Sequence, residues 1–258
     1  MKKAFQALAA SAFLAPAGAA WATPSTTFWT PATTYVQPFA IPHITYDTYF
    51  GEKGAYPIDA GLTLGILPFD KVQAEVGFDL FYPGYTESAI YLNGKIGLTE
   101  GAFGDWFPGI SAGIYGAGLK GGISTYDIWH AEVGKTFGFG TLTVGGYYGA
   151  GSTSLWTGSS GSVQRTGFMG AYLTPDVPIN LTGLNKINFF GDVQTGKNFY
   201  GAWGLGVGLY FTPAIDILTG PIFFLDDKLQ PGGSKMMWTI QLDVDIDFSA
   251  PKKEEKKG

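Results

Sequence analysis

The sequence predicts an all-β fold: a transmembrane, antiparallel up-and-down β-barrel of twelve strands, with ten as the alternative count. Three observations predict it. Segments alternate apolar and polar residues at period two, as in KVQAEVGFDLFY (71–82), where Val72, Ala74, Val76, Phe78, Leu80 and Tyr82 share one face. Lys71, Gln73, Glu75, Gly77 and Asp79 share the other. Only 14% of the 258 residues are charged while 45% are hydrophobic, against roughly 25% charged in ordinary soluble domains. After the N-terminus no run approaches the ~20 apolar residues that a spanning helix needs.

The elements follow in chain order. Met1-Lys2-Lys3 is a short basic start, AFQALAASAFLAPAGAA is apolar but broken by Pro16, and Ala20-Trp21-Ala22 has the small-x-small pattern of a cleavage site. Residues 1–22 therefore predict a signal peptide and export. The lead-in TPSTTFWTPATTYVQP (23–38) carries too many prolines for a central strand. It is either a periplasmic extension or a segment folded into the barrel mouth. Residues 39–248 predict the barrel, and PKKEEKKG closes a charged periplasmic tail (249–258). That tail is either a solvated end or a contact for a periplasmic partner. The chain has no cysteine, so disulfides contribute nothing and the redox compartment stays open.

Within 39–248, Gly, Pro, Asp and Asn punctuate twelve strand-like segments: 39–50, 56–67, 71–82, 87–99, 109–119, 126–136, 139–150, 163–173, 185–194, 199–211, 214–224 and 236–248. Their lengths suit tilted membrane strands, which need about 9–11 residues. The even positions Trp238, Ile240, Leu242, Val244 and Ile246 of the last segment are apolar, against Asp243, Asp245 and Asp247. LPFD (67–70), TFGF (136–139) and TPA (212–214) are tight connections, whereas 151–162 and 225–234 are longer and polar. Short turns at one end and long loops at the other fit an outer-membrane barrel. Two connections, 100–109 and 175–184, are long on the short-turn side.

With the leader, the alternating strands, the aromatic strand ends and the closing WTIQLDVDIDF in view, the chain resembles a bacterial outer-membrane β-barrel protein of the porin-like superfamily. The resemblance covers about 210 residues and names an architecture. The last strand resembles the assembly signal of that family, with Gln241, Ile246 and Phe248 in place, but Asp243 stands where glycine is usual and ten residues follow Phe248. It implies localisation in the bacterial outer membrane, with membrane lipid and lipopolysaccharide as surroundings.

The polar parity then lines a lumen. Turns about Glu52-Lys53-Gly54, Pro68-Phe69 and Gly84-Tyr85 place Asp47 opposite Asp59, Asp59 opposite Asp79, and Asp79 opposite Tyr91. This is an acidic row with neighbours about 4.5–5.5 Å apart. Glu75 and Lys95 approach each other lower down, with Lys71 and Gln73 on the same face. Asp192 and Gln194, together with Gln241, Asp243 and Asp245, complete the lining, and Arg165 is a further candidate. Inward glycines such as Gly61, Gly65, Gly77, Gly97 and Gly204 leave volume and favour a cavity or channel. Trp106, Phe107, Trp129, Trp156, Trp203 and Trp238 read as interface aromatics at headgroup level.

Function follows from these linings. Without leader and tail the body holds 10 Lys and Arg against 19 Asp and Glu, which gives no footprint for nucleic acid and favours cations. The expected function is a porin-like channel passing ions or small hydrophilic solutes with mild cation preference. The alternative is a non-conducting barrel that holds an apolar ligand or serves as a structural or interaction protein. The acidic row offers oxygen ligands but no Ca²⁺ loop, so neither metal nor other cofactor is expected. An enzyme is not expected either. Any His-dependent mechanism must use His43 or His130, and no serine is placed to complete a triad.

Overall fold

The computed structural model describes residues 26–51, 56–85 and 88–248. The leader (1–22), the turn at 52–54 and the tail (249–258) lie outside the described residues. Among the described residues thirteen strands form one sheet: β1 (Pro42–Gly51), β2 (Ile58–Gly65), β3 (Val72–Tyr85), β4 (Ser88–Leu98), β5 (Gly109–Gly118), β6 (Ile128–Phe137), β7 (Gly140–Gly149), β8 (Thr166–Leu173), β9 (Val177–Leu181), β10 (Leu184–Gln194), β11 (Ala202–Thr212), β12 (Ile215–Phe224) and β13 (Met236–Asp245). Apart from β8 and β9, which each pair with β10, neighbours in sequence pair antiparallel, and β13 pairs back onto β1 from His43↔Asp245 to Gly51↔Met237. The sheet is thus closed. Closure pairs the backbone groups that hydrocarbon could not satisfy.

β8 and β9 together make a single stave. Both lie on the same edge of β10, β8 against Phe190–Gln194 and β9 against Leu184–Ile187. The barrel therefore has twelve staves, the count the alternation predicts. The long connection expected at 175–184 is mostly strand, interrupted because Pro175 has no N–H to give the ladder. Thr174 bridges the break: its N–H donates to the Phe189 carbonyl at 2.8 Å, and its Oγ1 accepts from the Phe189 N–H at 2.9 Å. The connection between β4 and β5 stays long. It folds back beneath β6, where Glu100 meets Lys135 Nζ at 2.9 Å.

The outer surface carries the apolar parity. Val76, Phe78, Leu80 and Tyr82 of β3 are exposed, as are Trp238, Ile240 and Leu242 of β13. An apolar outer band on a closed antiparallel barrel is the architecture of outer-membrane barrels. The interior is less uniformly wet than alternation suggests. Ile128, Met169, Leu218, Ile222 and Met237 are buried inside with polar neighbours, because the lumen encloses a segment that needs apolar packing.

Candidate functional site

That segment is 26–41, whose first thirteen residues belong to the lead-in. It runs inside the barrel, deeper than a mouth plug and unlike a periplasmic extension. Phe28, Thr30, Ala32, Val36 and Gln37 are all buried. From the strand-end side, where β1 begins and β13 ends, it passes along the β3–β6 wall to an apex at 27–30. Gln37 N–H donates to Glu75 Oε2 at 2.5 Å, and its amide Nε2 donates to Asp245 Oδ1 at 2.9 Å. Ser111 Oγ lies 3.1 Å from the Thr33 carbonyl. At the apex Asp192 Oδ2 accepts from Thr27 Oγ1, Trp29 N–H and Thr30 N–H at 2.7, 2.7 and 2.9 Å. Gln241 Nε2 holds the Phe28 carbonyl at 2.8 Å. Phe28 itself packs among Tyr49, Leu218, Ile222 and Met237, and Ala32 joins a second cluster around Tyr126 and Trp156.

Some of the inward glycines seat this segment. A Cβ on Gly65 would stand 2.1 Å from the Pro38 carbonyl oxygen, one on Gly109 would stand 2.6 Å from Thr34 Oγ1, and one on Gly204 would stand 2.8 Å from Phe28. The volume those glycines leave is filled by the chain's own N-terminal region. It is not an open bore.

Beyond the apex, toward the loops between strands, the lumen opens into a chamber of about 360 Å³. Trp29 forms its inner wall with Tyr49, and Tyr91, Tyr115, Tyr126 and Tyr200 surround it. The rings touch in sequence: Trp29–Tyr200 at 6.4 Å between centroids, Tyr200–Tyr126 at 4.8 Å and Tyr200–Tyr115 at 6.1 Å. Trp29 Nε1 donates to the Tyr200 carbonyl at 2.8 Å, tying the apex to the β10–β11 loop. Asp59 and Asp79 border the chamber and, with Asp47, border a second space of about 70 Å³ beneath it. No lysine, arginine or histidine is among the residues lining the chamber.

The acidic row exists in altered register. Asp47 pairs with Asp59 and Asp79 with Tyr91, but Asp79 stands opposite Gly61 and Asp59 opposite Phe81. The β2–β3 turn is centred one residue later than predicted, which shifts the pairing by two, and a shift of two keeps each side chain on its face. Asp47 accepts from Thr45 Oγ1 at 2.9 Å and Tyr49 Oη at 3.3 Å, and Asp79 accepts from Asn93 Nδ2 at 2.5 Å. Asp59 Oδ1 is buried with no protein hydrogen-bond partner.

The other predicted lining residues divide. Glu75 and Lys95 face each other at 3.5 Å, and Gln73 shares their parity. Asp192, Gln194, Gln241 and Asp243 are buried inside. Asp243 and Asp245 flank His43, at 3.1 and 2.9 Å. Lys71 is a correction: it precedes β3 on the exposed turn, with its Nζ over the Phe103 ring at 5.8 Å. Arg165 also lies off the lumen wall, donating to Thr153 Oγ1 and the Gly149 carbonyl. Trp156 is a further correction. At 0% exposure it packs on Tyr147 and Tyr126 over the lumen, while Trp106, on the β4–β5 connection, is 74% exposed.

Both histidines face inward. His130 Nδ1 is 2.7 Å from Glu132 Oε1, and Ser111 Oγ donates to Glu132 Oε2 at 2.8 Å. The serine bonds the carboxylate and not the imidazole, so the nucleophile–base contact of a triad is missing from this trio. Among the described residues no group of three or more His, Asp or Glu is arranged to hold a metal ion. Sequence reading missed Trp29, Tyr49, Tyr115, Tyr126 and Tyr200 as chamber walls. The density of aromatic residues beside Gly and Pro in FWTP, GIYGAG and KNFYG was the available signal.

No protein-family model matches the chain. No curated protein matches it either. Among solved structures the chain is similar to the NanC porin, 8% identical with a TM-score of 0.49 over 80% of this chain and 99% of that one. It is also similar to outer membrane phospholipase A from Escherichia coli, 11% identical with a TM-score of 0.40 over 83% of this chain and 95% of that one. A third is the translocator domain of autotransporter NalP from Neisseria meningitidis, 12% identical, with a TM-score of 0.35 over 81% and 87%. These are three different functions, and at such identities the likeness does not reach individual side chains.

Proposed function

We propose that the protein is a porin-like barrel of the bacterial outer membrane that passes small cations through a lumen narrowed by residues 26–38. The observation that carries this reading is the row Asp47, Asp59 and Asp79 beneath a chamber lined by no basic side chain. Fixed carboxylates inside a low-dielectric wall concentrate cations and repel anions without any chemical step. The strapped segment sets the width, so passage is limited to ions and small solutes.

Bilayer recording of the refolded full chain under a salt gradient tests it. The expected reversal potential has the sign of cation preference, and joint replacement of Asp47, Asp59 and Asp79 by Asn moves it toward zero. Anion preference in the parent protein, or a potential indifferent to the three substitutions, overturns the reading.

A further inference from the structure

The chamber has two properties that a simple wet constriction does not need. Its walls are aromatic: Trp29, Tyr49, Tyr91, Tyr115, Tyr126 and Tyr200 present rings around one space. Its boundary carries two carboxylates, Asp59 and Asp79, and one oxygen of Asp59 is buried without a protein hydrogen-bond donor. The two neighbouring acids differ, because Asp47 is engaged by Thr45 and Tyr49 and Asp79 by Asn93. Asp59 and Asp79 both border the chamber, and Asp59 Oδ1 is the buried oxygen of the row without a protein donor.

A hard metal ion fits this lining poorly. Ring faces cannot replace the oxygen shell that Ca²⁺ or Mg²⁺ requires, and two carboxylates, Asp59 and Asp79, leave most of that shell unfilled. A soft cation fits well. Ring faces carry the negative side of the aromatic quadrupole and attract a cation whose charge is spread over an alkylated nitrogen, most strongly when water is excluded. The volume, about 360 Å³, lies within the range of small-molecule sites, roughly 300–1,000 Å³.

We propose that the chamber binds an organic ammonium cation, an amine bearing alkyl groups, with Asp59 as counter-ion and Trp29, Tyr115 and Tyr200 as principal walls. The assignment rests on the cation-passing reading, whose acidic row it shares, and names the class of solute the passage prefers. It also gives the inserted segment a part in the site, since Trp29 is brought there by the Asp192 clamp and the Tyr200 carbonyl.

Calorimetric titration of the full chain, folded in detergent, compares choline chloride with its neutral carbon isostere and with potassium chloride. Choline is expected to bind roughly tenfold or more tightly than the isostere, the factor that one or two desolvated cation–π contacts carry. Asp59→Asn and Tyr200→Leu are each expected to weaken choline by roughly 5- to 30-fold. Equal affinity for choline and the isostere, or no heat from choline in the parent protein, overturns the proposal. Neither outcome depends on a variant folding. The two readings fail separately: cation preference in bilayers with no choline binding removes the ligand and keeps the passage. Choline binding in a barrel that conducts nothing removes the passage and keeps the ligand.

Discussion

Asp192 shows what one inward carboxylate does in this lumen. It accepts from two backbone amides and a hydroxyl of the inserted segment, so its role is to hold the apex down. Asp192→Ala strands two amides, each costing about 1–3 kcal/mol when buried without an acceptor. The expected result is faster proteolytic cleavage within 26–38 while the unboiled barrel keeps its folded electrophoretic mobility. Unchanged cleavage would show that packing of Phe28 suffices. Gly65 makes the steric counterpart. A Cβ there meets the Pro38 carbonyl at 2.1 Å, whereas at Gly94 the nearest atom is 3.6 Å away. Gly65→Ala is therefore expected to displace the segment and raise single-channel conductance, with Gly94→Ala near parental. Of the acidic row, Asp47↔Asp59 and Asp79↔Tyr91 were legible because hairpin pairing follows from a turn position. Asp59↔Asp79 was not, since nothing in LPFDK says that the turn spans two more residues.

At the scale of the elements, the interrupted stave β8–β9 and the folded-back β4–β5 connection show how ends are satisfied. The latter is tied by Glu100, which meets Lys135 at 2.9 Å and accepts from the Thr136 N–H at 3.1 Å and its hydroxyl at 2.8 Å. Partial burial raises the Glu100 carboxyl, but the bonds from Lys135 and Thr136 outweigh it and leave its pKa below the usual 4.5. A depressed carboxylate pKa stabilises the folded arrangement above the unfolded value, and that contribution is lost as pH falls through the folded value. Protection of the Thr136 amide from hydrogen exchange, corrected for intrinsic rates, is expected to fall below pH 4.5. In Glu100→Gln that pH dependence is expected to be absent. Strand positions were legible from period two, and strand ends were less so. The 175–184 region reads as a loop because Pro175 and Gly183 are punctuation, yet Val177–Leu181 within it is a strand on the edge of β10.

For the whole molecule, the inserted segment decides how the lumen is used. It joins both buried aromatic clusters, through Phe28 and Ala32, and divides the interior into the chamber and the spaces beneath. A chain lacking residues 26–38 is expected to fold as a barrel, because strand closure through β13–β1 does not involve them. It is expected to conduct several-fold more than the parent in bilayers, with weaker discrimination between ions, since selectivity needs a narrow path past the acids. Equal conductance in the two proteins would mean that the segment leaves the path clear.

By itself the sequence determined a closed cylinder with an apolar outside. Alternation is a local property, written every two residues and read without knowing which strand lies next. Within the clearly alternating strands it also set the inward face of residues such as Asp47, Asp59, Asp79 and Glu75, because face survives a register shift of two. Only the tertiary structure decided what fills the inside. The contacts that matter there, Thr27 with Asp192, Gln37 with Asp245 and Trp29 with Tyr200, join residues far apart in the chain through no repeating pattern. Such contacts arise from where a closed sheet leaves room, and room is a property of the assembled barrel.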